Sequence, residues 1–173
     1  MAETLYTLQN RRSVRSYKPD QVPDFELSLI VEAGKWAPTG MGTQNPIMVV
    51  VRDKETRDLL SKLNAAVMGA DKDPFYGAPC VIVVFADPNR STWVEDGSLV
   101  MGNLLNAAHD VGIDSCWIHR AREVFDSPEG KALMEKWGVP QHYRGVGNCI
   151  LGYRDCEYPV PKERKADYVL FIN

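Results

Sequence analysis

Residues 92–118 read TWVEDGSLVMGNLLNAAHDVGIDSCWI. This stretch decides the architecture. A long helix is expected from Thr92 to Val111, followed by a short strand from Ser115 to Ile118. Trp93, Val100, Met101, Leu104, Leu105, Ala107, Ala108 and Val111 cover most of the helix circumference, which predicts burial on several sides. In a chain this short, one of those sides is expected to meet another subunit. Just before it, Cys80–Ala86 (CVIVVFA) is apolar on both faces and reads as the central strand.

Working outward, Ile47–Val51 and Gly147–Gly152 read as two further strands. Helices are expected over Glu3–Asn10 and Asp53–Met68, and from Asp24 to about Trp36. Asp24 is the expected N-cap of the last of these, and Phe25, Leu29, Ile30, Ala33 and Ala37 are its apolar stripe. Pro38 ends it. Glu123 falls in a short helix, and Ser127-Pro128-Glu129 opens another with cap, Pro and acid in order; it ends near Trp137-Gly138. Helices interspersed among about four internal strands give a sheet covered by helices. The β-α-β rhythm and glycine fingerprint of a dinucleotide fold are missing. The terminal run Tyr168–Ile172 (YVLFI) is β-like and needs a covering surface, such as a neighbouring subunit's sheet.

The 173 residues, 19.4 kDa, suffice to bury about 70% of the chain's surface in one unit spanning 1–173. A hydrophobic fraction of 45% and a charged fraction of 25% exclude disorder. A net charge of −3 argues against a general nucleic-acid binder. The four cysteines stand far apart and read as free thiols in a reducing compartment. The three histidines lack metal-ligand spacing, so no metal site is expected. No signal peptide opens the chain, and its longest uncharged segment, Gly97–His109, is too short to span a bilayer. A soluble cytoplasmic protein is expected.

Three constellations can carry chemistry. Arg11, Arg12 and Arg15 form a basic cluster with the Ser13 hydroxyl, and Lys162, Arg164 and Lys165 form a second near the other end. Two rigidly presented cationic groups suit a phosphate ester. The loop Pro38–Pro46 (PTGMGTQNP) offers glycines for close approach to a flat ligand, with Thr39, Thr43 and Gln44 as hydrogen-bonding groups. The third, Ser115–Arg120 (SCWIHR), places Trp117 and His119 at a strand end. A Cys116 nucleophile lacks an identifiable base. Each constellation also has a structural reading: a solvated face, a plain connection, and core.

In this order, the motifs resemble the FMN-dependent nitroreductase family in its short form. RRSVRSYKPDQVP is similar to the family's R-R-S-x-R opening, and APTGMGTQNP to its A-P-S/T-G-x-N-x-Q-P loop. DGSLVMGNLLNAAHDVGIDSCWI is similar to its central helix and G-x-x-S/T-x-W-I strand, and ILGYRDCEYPVPKERK to its G-Y…P-x-P-K-x-R end. The resemblance implies a sandwich with a mixed central sheet flanked by helices. It implies a homodimer of α+β subunits with two FMN sites at the interface and a C-terminal arm, about 155–173, exchanged between subunits. By motif position, Arg11, Lys162 and Arg164 would hold the FMN phosphate with Ser13 assisting. Arg12 and Arg15 would reach the ribityl chain and the pyrimidine edge. Pro38, Thr39, Gly40 and Gly42 would come from the other subunit to line the ring, with Gln44 nearby. Trp117, Ile118 and His119 would pack on the opposite face, and Asn64 is a further candidate polar contact.

The implied activity is ping-pong hydride transfer from NADPH or NADH, through flavin N5, to a nitroaromatic, quinone or related acceptor. No side-chain nucleophile is needed. The same fold also admits flavin destruction, dehalogenation or ring dehydrogenation, and a flavin-binding protein without turnover. Gly42 stands where the family often has Asn, Asn45 separates Gln44 from Pro46, and His119-Arg120 replaces small residues. Those departures bear on substrate choice.

Overall fold

A computed structural model describes residues 3–172. Four strands, β1 (Ile47–Val51), β2 (Cys80–Ala86), β3 (Asp114–Ile118) and β4 (Arg144–Gly152), form one sheet in the order β1-β2-β4-β3. Six helices accompany it: α1 (Glu3–Asn10), α2 (Asp24–Lys35), α3 (Lys54–Met68), α4 (Trp93–Asp110), α5 (Ala121–Asp126) and α6 (Pro128–Lys136). All seven residues of β2 are buried, as its unbroken apolar run demands. On one face Val81, Val83 and Phe85 pack with Leu60 of α3, Phe125 of α5 and Met134 of α6. On the other, Ile82 and Val84 pack with Ile30 of α2 and with Met101 and Leu104 of α4.

Several expectations are corrected. The three ladders are all antiparallel, so these four strands are not a mixed sheet. The parallel pairing among the described residues is an isolated bridge between Ser13 and Ser115. Strand β4 begins at Arg144 rather than Gly147, because Gly145 lets it run tight against α5: a Cβ there would stand 2.5 Å from the Ala121 carbonyl oxygen. The N-cap of α2 is Pro23, not Asp24; the Asp24 carboxylate pairs with Arg52 instead. The stripe buried by α2 is Leu27, Ile30 and Gly34, while Phe25 is 70% exposed and Leu29 is exposed too. Gly34 sets that rotation, since a Cβ there would lie 2.7 Å from Met48 Sδ and 2.9 Å from Leu104 Cδ2.

Within this chain α4 is buried on one side, not several. Asp96, Gly97, Val100, Met101, Leu104, Leu105 and Ala108 form a stripe at helical period. Leu99 stays exposed. The tail from 155 onward carries no strand among the described residues, and Tyr168 to Ile172 are exposed at 61–93%. The chain exposes 10255 Å², against roughly 8,500 Å² for a compact monomer of this mass. No described helix is long and apolar enough to cross a membrane.

Candidate functional site

The segment Arg11–Tyr17 lies along the free edge of β3. Val14 is fully buried, and its N–H donates to the Ser115 carbonyl at 3.1 Å. The Tyr17 hydroxyl donates to the Val14 carbonyl at 2.9 Å. With Val14 turned inward, the flanking Ser13 is half-buried and Arg15 exposed, as extended backbone requires.

Arg11 and Arg12 are half-buried. Arg12 Nη1 donates to the carbonyls of Gln9 at 2.7 Å and Arg11 at 2.8 Å. Arg12 Nε and Arg11 Nη1 are buried without a hydrogen-bond partner. A guanidinium does not shed its proton, so these N–H groups need an acceptor. A phosphate oxygen would supply one, so the two arginines fit an anionic group.

Tyr158 and His109 brace this cluster. The Arg12 N–H donates to Tyr158 Oη at 2.9 Å, and Tyr158 Oη lies 3.1 Å from the Asn10 carbonyl and 3.2 Å from His109 Nδ1. The single hydroxyl hydrogen serves one of the two. When it goes to Asn10, His109 must carry its proton on Nδ1. Burial holds the His109 pKa below its ordinary value; Asp114 and Asp110 oppose this, and Arg11 and Arg12 add to it.

Trp117, Ile118 and His119 end β3. Trp117 is half-buried against Gly147, where a Cβ would stand 2.8 Å from the indole. Ile118 is buried and His119 exposed. Asn64 is fully buried with both amide ends engaged: Nδ2 donates to the His119 carbonyl at 2.8 Å, and Oδ1 accepts from Arg120 Nε at 3.0 Å. It thereby holds the corner after β3. Cys116 is buried, and burial pushes its thiol up against the pull of Arg15, Ser13 and Arg11. That disfavours a thiolate nucleophile.

The loop 38–46 is built elsewhere. Gly40–Gly42 form a tight 3₁₀ turn, with Met41 and Gly42 at φ 56° and 66° and Gln44 at 50°. Pro38, Gly42 and Gln44 are exposed, while Thr39 and Gly40 are half-buried. The loop hangs on Asp96, which is 2% exposed. Its carboxylate accepts from Gly40 N at 2.8 Å, Thr92 Oγ1 at 3.1 Å and Asn45 Nδ2 at 3.4 Å. Asn45 Oδ1 in turn accepts from Asp87 N at 2.6 Å. The Gln44 N–H donates to Thr39 Oγ1 at 3.0 Å.

One chain does not bring these places together. Asp96 and His109 stand near opposite ends of α4, about 20 Å apart at 1.5 Å per residue. Lys162 and Arg164 are exposed on the tail, and no described hydrogen bond or ion pair ties them to Arg11, Arg12 or Ser13. Sequence reasoning missed three supports: Asp96, Tyr158 and Asn148, whose Nδ2 donates to the Ile118 carbonyl at 3.2 Å. An acid on the buried stripe of α4 was a readable signal for Asp96. The other two had none.

A model of the nitroreductase family matches residues 8–153. An Archaeoglobus fulgidus protein with a provisional NADH dehydrogenase/NAD(P)H nitroreductase name is 34% identical, covering 97% of this chain and 91% of its own. A Bacillus subtilis FMN reductase [NAD(P)H] is 32% identical, covering 100% of this chain and 76% of its own. A Bacteroides fragilis nitroreductase solved with bound FMN superposes with TM-score 0.89 at 29% identity, over 100% of both chains. The match over residues 8–153 and the 34%-identical relative show that the chain belongs to the nitroreductase family.

Proposed function

We propose that this protein is an FMN-dependent NAD(P)H oxidoreductase that works as a homodimer on nitroaromatic, quinone or related acceptors. The observation that carries the reading is the pair of buried donors, Arg11 Nη1 and Arg12 Nε, left without acceptors beside Ser13. They suit an anionic cofactor seated on the β3 edge. The family match and the FMN-bound relative favour FMN as that cofactor.

Arg11 and Ser13 would hold the phosphate together with Lys162 and Arg164 of the tail. Arg12 and Arg15 would reach the ribityl chain and the pyrimidine edge, where a cation stabilises negative charge. Trp117, Ile118 and His119 would form one wall. When bound, FMN supplies a ring that takes a hydride at N5 from NAD(P)H and gives it to an acceptor. Donor and acceptor use the same opening in turn, so ping-pong kinetics are expected.

A second subunit completes this site. The loop Pro38–Gly42, with Gln44, stands about 20 Å along α4 from the arginine cluster, too far to serve the same site from one chain. A partner's loop would line the ring from the other side. The exposed run Tyr168–Ile172 and the excess surface of the chain favour an arm, about 155–173, that crosses onto the partner.

The first test is the spectrum. The purified protein should be yellow, or become so with FMN, and NADPH or NADH should bleach it without air. A colourless protein that refuses FMN overturns the proposal. Binding without reduction by either nicotinamide points to a carrier or another donor. Lys162→Ala or Arg164→Ala should weaken FMN far more than riboflavin; equal loss for both removes these residues from the phosphate site.

A further inference from the structure

The corner between β3 and α5 is strained and heavily braced. Arg120 has φ 71°, a left-handed conformation that side chains of its kind rarely adopt. Asn64 Nδ2 donates to the His119 carbonyl, and Asn148 Nδ2 donates to the carbonyls of Ile118 at 3.2 Å and His119 at 3.5 Å. Both asparagines are buried, at 0% and 2% exposure. Arg120 Nε donates to Asn64 Oδ1. The guanidinium is thus oriented by a buried amide, and its two terminal nitrogens have no ion-pair partner among the described residues.

Arg122 lies over the Trp93 ring, with Cζ 4.8 Å from its centroid, and Arg144 lies over the same ring at 5.9 Å. The adjacent acid Asp126 is taken up by Arg144. Glycine would meet φ 71° without strain, so the strained corner carries an arginine at a cost. Strain of this kind collects at functional sites.

We propose that Arg120 is a specificity-determining residue: its free guanidinium edge receives a carboxylate or phosphate oxygen of the substrate at the β3 end. This rests on the reading of Trp117–His119 as a flavin-facing wall. An arginine fork matches such oxygens in pairs. The anion has two sources, a carboxylate on the acceptor or a phosphate on the nicotinamide donor.

The test uses the FMN-loaded protein and its Arg120→Gln, Arg120→Gly and Arg120→Lys variants. FMN uptake is recorded first. Benzoate and benzamide, which are not reduced, are then titrated by the change in flavin absorbance. Turnover is compared for 4-nitrobenzoate against 4-nitrobenzamide and for NADPH against NADH. The acceptor source predicts that Arg120→Gln and Arg120→Gly weaken benzoate by about tenfold, leave benzamide unchanged, and are partly rescued by Arg120→Lys. The donor source predicts that the loss falls on NADPH relative to NADH. Either result supports the proposal. Normal FMN uptake with anionic and neutral ligands unchanged, or weakened equally, overturns it. A wild-type protein that takes up no FMN overturns the flavin reading instead.

Discussion

The hydroxyl of Tyr158 accepts the backbone N–H of Arg12 at 2.9 Å, joining positions 146 residues apart. The root of the tail is thereby fastened to the arginine segment that the proposed phosphate site needs. Tyr158→Phe removes the acceptor for Arg12 and the contacts to Asn10 and His109. The expected loss is about 1–2 kcal/mol of stability, with weaker FMN binding. Urea unfolding and FMN titration measure the two effects separately.

Asp96 holds the loop 38–46 through two donors, Gly40 N and Asn45 Nδ2, and accepts from Thr92 Oγ1 as well, while nearly sealed from water. Asp96→Ala leaves Gly40 N and the Asn45 amide short of an acceptor. The expected destabilisation is about 2–4 kcal/mol. Asp96→Asn keeps one acceptor and should cost less. Hydrogen exchange at Gly40 should speed up in both variants, more so in the alanine.

Much of the layout was legible because β2 and α4 are strong signals: an uninterrupted apolar heptapeptide and an eighteen-residue helix. What hid was tertiary. The face buried by α2 depends on Gly34 meeting Met48 and Leu104, and periodicity of apolar residues cannot register a glycine contact. The apolar excess of α4 was real, but one chain uses only one stripe of it. Nothing in the sequence shows that Asn64 ties the His119 carbonyl to the Arg120 side chain. The arginine cluster was readable as a cluster; its anchoring along β3 through Val14 and Ser115 was not.

Asp73 sets an acid limb. Burial alone would raise its pKa, but donors from Arg57 Nη2 (2.5 Å), Ser61 Oγ (2.5 Å), Gly77 N (2.7 Å) and Phe75 N (2.8 Å) outweigh that and hold it below the ordinary carboxylate value. A lowered folded pKa means that its stabilisation is complete above the unfolded value and drains as pH falls through the folded one. Asp73→Asn should therefore lower stability at neutral pH and flatten the fall between about pH 5 and pH 2. Unfolding free energies across that range, for both proteins, check the sign. Parallel curves would assign the acid limb to other carboxylates.

Gly147 and Trp117 form a tight pair, for a Cβ at 147 would meet the indole at 2.8 Å. At Gly147 strand β4 pairs with Val84 of β2, and its ladder to β3 starts one residue on, at Asn148. Trp117 is only half-buried, so the ring can yield. Gly147→Ala should cost about 1–3 kcal/mol, shift the tryptophan fluorescence and weaken FMN if Trp117 forms its wall. Trp117→Phe supplies a smaller ring and relieves the clash. In a double-mutant cycle, Gly147→Ala should therefore cost less in the Trp117→Phe background than in the wild type. Equal costs in both backgrounds would mean that β4, not the indole, absorbs the added methyl group.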